Sequence, residues 1–209
     1  MDLKSNTSIK EVYNQIAKDF DRSRVRIWPC VSRFLSKFNS GSELLDIGCG
    51  NGKNIISRPD LKFKGIDLSD ELVKICQKKG LDVIESSMTS IPLKNNSFDG
   101  FITIASYHHL STDEDRTAAL NEMYRILKIG GSGLIVVWAM EQPKDSTFHF
   151  TKSDEFVKWT YNKTGQTFMR YYHIYSVNDL ANEIIKLEPR FKIIDQGWEK
   201  GNWWIQITK

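Results

Sequence analysis

The spacing of hydrophobic positions along the chain changes several times, and each change marks an element. Ile9, Val12, Tyr13, Ile16 and Phe20 recur every three or four residues, which predicts one face of an amphipathic helix over residues 8–20. Residues 21–28 break that period, and Pro29 opens a second helix with Val31, Phe34, Leu35 and Phe38 inward, leaving Arg22, Arg24 and Arg26 on a linker. Short stretches rich in apolar residues at 44–47, 63–67, 81–85 and 98–105 predict strands, the third short enough for an edge. Between them lie a short helix ending near Pro59 and a helix capped by Ser69, with Asp70 and Glu71 in its first turn and Gly80 at its end. Thr112 caps a helix running to about Leu127, and Ile129-Gly130-Gly131 turns the chain into a buried fifth strand over 133–138. Residues 140–170 show no period and read as a lid or substrate loop. Regularity returns with 171–175, a helix over 177–187, a strand over 191–194 and a final pair joined through residues 199–202. Strands alternating with helices predict an α/β fold: a Rossmann-like, seven-stranded, mostly parallel sheet with an antiparallel C-terminal hairpin and helices on both faces.

Residues 44–52, Leu-Leu-Asp-Ile-Gly-Cys-Gly-Asn-Gly, end a strand in three glycines at alternate positions. Dinucleotide sites space their glycines G-x-G-x-x-G and set a pyrophosphate on a helix N-terminus. Here the spacing is shorter, and Asp46 sits two residues before Gly48, where a carboxylate opposes a pyrophosphate and suits a cation. S-adenosylmethionine carries an ammonium and a sulfonium beside its ribose. Asp67 ends the second strand, where an acidic side chain can hold ribose hydroxyls. The pattern resembles the first two motifs of class I methyltransferases.

Composition narrows the setting. The 209 residues suit one domain over 1–209, at 40% hydrophobic and 26% charged. No apolar stretch approaches the ~20 residues of a membrane helix, and the polar start is no signal peptide, so the cytosol, with the nucleus as a second compartment, is expected. Cys30, Cys49 and Cys76 form no C-x-x-C pair, so no metal site is indicated and the sequons at Asn6, Asn95 and Asn162 carry little weight. Net charge is +3, yet residues 1–37 hold eight basic and four acidic side chains, a local patch able to steer an anion or simply a solvated helix face.

Three further stretches carry a closer resemblance: Val12 to Ala17 with Ser23 to Pro29; Tyr107 to Thr112; and Arg170 to Tyr175 with Gly197-Trp198-Glu199 and Asn202-Trp203-Trp204. With residues 46–53 they resemble, almost end to end, the eukaryotic tRNA wobble-uridine carboxymethyl methyltransferases, including the methyltransferase domain fused to an AlkB-type oxygenase. The resemblance implies methyl transfer from S-adenosylmethionine to a carboxymethyl-uridine carboxylate in tRNA. It also implies a small zinc-binding activator protein, which would pair in a heterodimer with the edge strand near 81–86 through Leu81, Val83 and Ile84.

On that resemblance the cofactor is held by Asp46, Gly48, Cys49, Gly50, Asn51, Gly52, Asp67, Leu68, Ser87, Met88 and Ala105. Arg24, at the family's arginine position, would hold the substrate carboxylate, with His108 or His109 donating from the other side. Arg26, Trp28, Tyr171, Tyr172, His173, Asn202 and Trp203 would contact tRNA, and either Trp203 or Trp204 would face the site. The chain departs from the family in carrying Ser86-Ser87-Met88 where an acidic residue usually lies beside the adenine. Two other readings stay open: a small-molecule methyltransferase on the same fold, and a non-catalytic module that keeps the cofactor site.

Overall fold

The computed structural model describes residues 8–160 and 165–209. Asn6 and Asn162 lie outside the described residues, as do 161–164 of the expected lid. Seven strands form one sheet in the order β3-β2-β1-β4-β5-β9-β8. They are β1 (Glu43–Ile47), β2 (Lys62–Asp67), β3 (Val83–Glu85), β4 (Phe98–Ile104), β5 (Leu127–Trp138), β8 (Lys192–Glu199) and β9 (Asn202–Thr208). Pairings among β1 to β5 are parallel, while β9 is antiparallel to both β5 and β8, as expected. The strand order reverses beside β1, and ligands in such sheets bind at the strand C-termini near that reversal.

Helices α1 (Ile9–Ser23), α2 (Pro29–Leu35), α3 (Lys53–Ile56), α4 (Asp70–Lys78), α5 (Asp113–Ile126) and α6 (Asp179–Leu187) accompany the sheet. Their starts follow the caps: Ser69 accepts from the Leu72 amide and Thr112 from the Asp115 amide, each stabilising by about 1 kcal/mol. Ser8 and Glu11 close a reciprocal capping box on α1. The main core lies between the sheet and α5 and α6, around Phe101, Tyr107, Met123 and Ile135, all fully buried. A second cluster joins α2 to the other face through Val31, Phe34, Leu44 and Leu134. Among the described residues no helix is long and apolar enough to cross a membrane.

Four expectations need correction. The helical period continues to Ser23, so Arg22 rides on α1, Arg24 is its C-cap, and only Arg26 lies within the linker. Strand β5 begins at Leu127; the glycines at 130 and 131 form an irregularity within it, where its register against β4 shifts. The strand over 191–194 is the first half of β8, which runs unbroken to Glu199. The supposed lid is the largest miss. It contains β6 (Asp154–Thr160), which pairs antiparallel with β7 (Thr167–His173) in a separate hairpin, Val157 opposite Arg170. Burial along β6 alternates at every residue, with Glu155, Val157 and Trp159 inward, as a strand with one packed face should.

Candidate active site

A cavity of about 500 Å³ opens at the C-terminal ends of β1, β2 and β4. Its floor is the glycine turn. The amides of Gly48 and Cys49 both donate to the Ile66 carbonyl, at 2.8 and 2.9 Å, tying the turn to β2. Gly48 has φ +69°, and a Cβ there would sit 2.5 Å from the Ser106 side chain. Only glycine fits that conformation and that gap. Ser106 is itself fixed, donating to the Ile47 carbonyl at 3.0 Å and sharing a 2.8 Å contact with the Thr103 hydroxyl. Gly50 has φ +58°, and a Cβ there would press on Phe20 of α1 at 3.0 Å.

Asp67, Leu68, Ser87, Met88 and Ala105 line the cavity as expected, together with Gly48, Cys49, Gly50 and Asn51. Asp67 is locked by two backbone donors, Gly50 N–H at 2.8 Å and Ser69 N–H at 2.9 Å. Burial raises its carboxyl above the ordinary value, and the amides work against that. Ala105 has φ +54°, a strained conformation for alanine, at the end of β4.

Two expected cofactor residues do not reach the cavity. Gly52 packs beneath it, where a Cβ would meet Leu81 at 2.3 Å. Asp46 is fully buried below the floor, screened by Asn54, whose Nδ2 lies 3.4 Å from Asp46 Oδ2. Burial, opposed by Asn54 and reinforced by Asp67, raises the Asp46 pKa to about 7. Among the described residues, Asp46 Oδ1 and Asn54 Oδ1 are buried acceptors with no donor. Unmet acceptors beneath the floor suit a cation.

The opposite wall comes from α1, the linker and β7: Tyr13, Phe20, Arg24, Arg26 and Trp28 with Arg170 and Tyr172. Three hydrogen bonds from Asn51 Nδ2 to Asp21 and Arg24 anchor this wall to the glycine turn. Lys53 adds a 2.9 Å bond to the Arg26 carbonyl and faces the Trp28 ring at 5.7 Å. Arg24 stands over the rings of Phe20 and Trp159, at 5.6 and 5.1 Å. Its guanidinium bonds only the Ser23 hydroxyl, at 3.3 Å, with no carboxylate partner among the described residues. Arg170 stands over the same Trp159 ring at 4.8 Å.

Neither histidine has the role expected of it. His109 lines the cavity, but its Nδ1 lies 2.7 Å from the Tyr171 carbonyl, which can only accept. Nδ1 therefore carries the hydrogen, and Nε2 accepts from the Tyr13 hydroxyl at 2.8 Å. Burial lowers its pKa to about 3, so the ring is neutral with both nitrogens engaged. His108 is fully buried behind it, accepting from the Trp138 amide at 3.1 Å, and burial likewise holds it neutral.

Four expected substrate residues point elsewhere. Tyr171 and His173 share the Asp154 carboxylate on the hairpin, at 2.5 and 2.9 Å. Asn202 caps the β8–β9 turn through the carbonyls of Glu199 and Lys200, and Trp203 donates to Glu141 at 2.8 Å. Trp204 packs on the α2 cluster, so neither tryptophan faces the site. The residues missed were Tyr13, Lys53, Asn54, Ser106, Trp138 and Arg170. Arg170 opens a stretch singled out for its resemblance, and an arginine midway along an inward-facing strand was the available signal.

Residues 45–135 match the model of a methyltransferase domain family. A Schizosaccharomyces pombe tRNA (carboxymethyluridine(34)-5-O)-methyltransferase is 33% identical over 98% of this chain and 97% of its own length. An Arabidopsis thaliana protein of the same name is 41% identical over 73% of this chain, which spans only 36% of that longer relative. Among solved structures, the complex of the Haloferax volcanii Trm112 methyltransferase activator with a putative methyltransferase aligns at TM-score 0.70 and 16% identity, covering 96% of this chain and 97% of that one. At that identity the likeness is one of fold. With a full-length relative a third identical, and a glycine floor and parallel sheet to match, the chain belongs to the tRNA (carboxymethyluridine(34)-5-O)-methyltransferase family.

Proposed function

We propose that this chain transfers a methyl group from S-adenosylmethionine to the carboxylate of a carboxymethyl-uridine at the wobble position of tRNA, forming the methyl ester. The observation that carries this reading is the pairing of two unmet acceptors beneath the cavity floor with a wall bearing two guanidinium groups that, among the described residues, have no carboxylate partner. The first complements a cationic cofactor, the second an anionic substrate.

The residues fit the cofactor. Gly48 and Gly50 bring bare backbone to the cavity, Asp67 stands at the end of β2 with spare lone pairs for ribose hydroxyls, and the Ser87–Met88 segment closes the far side. When bound, S-adenosylmethionine supplies a methyl group made electrophilic by its sulfonium. A substrate carboxylate is already ionised at neutral pH, so methylating its oxygen needs no general base. That agrees with two neutral histidines whose nitrogens are directed into protein. One S–C bond breaks, one C–O bond forms, and the two opposite charges cancel without a proton. What the protein must supply is aim, and an arginine fork such as Arg24 fixes the plane of a carboxylate as a lysine cannot. Arg26 and Trp28, beside it on the linker, would meet the neighbouring nucleotide.

The edge of the sheet at β3 is offered to an activator protein, a reading supported by the Haloferax neighbour, which is bound to one. Val83 is already buried, so Leu81 and Ile84, both half-buried, are the apolar groups left for such a partner. Nucleoside mass spectrometry after incubating the chain, alone and with an activator, with S-adenosylmethionine and carboxymethyl-uridine tRNA tests the reading. The methyl ester is the expected product. Unchanged carboxymethyl-uridine under both conditions overturns it.

A further inference from the structure

Two arginines in this protein are almost equally buried, and only one is neutralised. Arg116 is 6% exposed and forms ion pairs with Asp113 at 2.5 Å and Glu183 at 2.9 Å. Arg170 is 4% exposed and has no carboxylate partner among the described residues. Its polar contact is one 3.4 Å bond from Nη1 to the Tyr13 hydroxyl, and its Nε has no acceptor. The rings of Trp159, Tyr172 and Tyr13 surround it, at 4.8, 5.1 and 6.0 Å. Ring faces attract a cation, but they do not replace a carboxylate partner for a charge taken out of water. A protein that keeps such a group on the wall of a cavity holds it for an anion that arrives.

Resting on the methyltransferase reading above, we propose that Arg170 grips the substrate carboxylate from the depth of the cavity, and that Tyr13 is the positioning residue that aims its guanidinium. Arg24 and Arg170 share the Trp159 ring, so two forks converge on one place, Arg24 toward the mouth and Arg170 within. Among the described residues, the indole N–H of Trp159 behind them is also a buried donor without an acceptor. Two guanidinium forks, which only donate, fit a carboxylate with its two acceptor oxygens and oppose a group that brings an N–H of its own.

The direction of the chain of bonds behind Arg170 is determined by one carbonyl. The Tyr171 carbonyl takes the His109 Nδ1 hydrogen, His109 Nε2 takes the Tyr13 hydrogen, and the Tyr13 oxygen is left only lone pairs to present to Arg170. Tyr13 therefore never competes as a donor to the substrate. It orients the fork, with α1 and β7 held to the turn over residues 107–109 by the same bonds.

The test compares two tRNAs as ligands, one bearing the carboxymethyl group and one bearing its neutral amide. Wild-type protein is expected to favour the carboxylate at least tenfold. Arg170→Gln should erase most of that preference and lower turnover by on the order of a hundredfold, with S-adenosylmethionine affinity by calorimetry unchanged. Tyr13→Phe removes one oxygen and leaves the ring packing. It should lower kcat several-fold without moving the cofactor affinity, and it stands in if Arg170→Gln does not fold. Wild type that fails to methylate the carboxymethyl tRNA refutes the proposed function. Wild type that succeeds, with Arg170→Gln or Tyr13→Phe keeping both its rate and its preference, refutes this inference alone.

Discussion

The two walls of the cavity are built in opposite ways. The floor is the short stretch 46–54 with Asp67 from the next strand, in which backbone does the work and side chains are held back: Gly48 and Gly50, Asp67 held by two amides, and Asp46 buried under Asn54. The opposite wall is made of side chains brought from residues 13–28 and from 159–172, with aromatic rings separating the charges. Backbone geometry constrains sequence locally, because a positive φ beside a neighbouring side chain admits only glycine. A wall of side chains constrains it through pairs far apart in the chain, and such pairs leave no local pattern. A floor of this kind can thus be shared by many methyltransferases, while a wall of side chains can be particular to one.

The largest effect that would separate the walls is expected at Gly48. Gly48→Val adds atoms where a Cβ alone already lies 2.5 Å from Ser106, at a φ of +69° that valine does not tolerate. Cofactor binding should be lost in calorimetry; retained affinity would mean that the floor is not where the cofactor rests. Next comes Arg24→Ala, which should lower turnover on carboxymethyl-uridine tRNA by on the order of a hundredfold and leave cofactor affinity as it was. Arg24→Lys should recover only part. Near-normal single-turnover rates for Arg24→Ala would leave the carboxylate to Arg170.

The smallest expected effect is a pH slope. Asp46 titrates near 7 in the folded chain against an ordinary value of 3.8, so between these the unfolded chain holds fewer protons. Stability of the cofactor-free protein should therefore fall as pH rises through that window. His109 slopes the other way: its folded pKa of about 3 lies below the ordinary 6.5, so stability is lost as pH falls from 6.5 toward 3. A cation bound above Asp46 should reverse the first slope and tighten as pH rises through about 7. Asp46→Asn should flatten both the slope and the pH dependence of binding. Melting curves from pH 4 to 8, with and without cofactor, read this directly, and an unaltered profile in the variant would remove Asp46 from the floor's electrostatics.

What the sequence reveals follows the same division. The sheet, the caps at Ser69 and Thr112 and the glycine floor are written in short-range patterns, and the structure has them. The β6–β7 hairpin was illegible because one face packs lightly and the other is exposed, so Phe156 on the exposed face and Glu155 on the inward face blur the alternation. His108 and His109 stand at a strand end, where a catalytic role is a fair expectation. Their neutrality is decided by burial, which at His109 outweighs the Tyr171 carbonyl's preference for the charged ring, and a sequence displays neither. Arg170 became conspicuous only when a structure showed it buried with no carboxylate partner among the described residues.

The Asn51 side chain has a consequence for the order of events. It belongs to the glycine turn, yet its amide holds the chain at Asp21 and Arg24. A molecule that settles on the turn therefore stiffens the segment carrying Arg24, and a tRNA that engages Arg24 stiffens the turn. The affinities of the two substrates should then be coupled, and linkage makes the factor the same in both directions. Bisubstrate kinetics should show each ligand lowering the dissociation constant of the other, and Asn51→Ala should make the two bind as strangers.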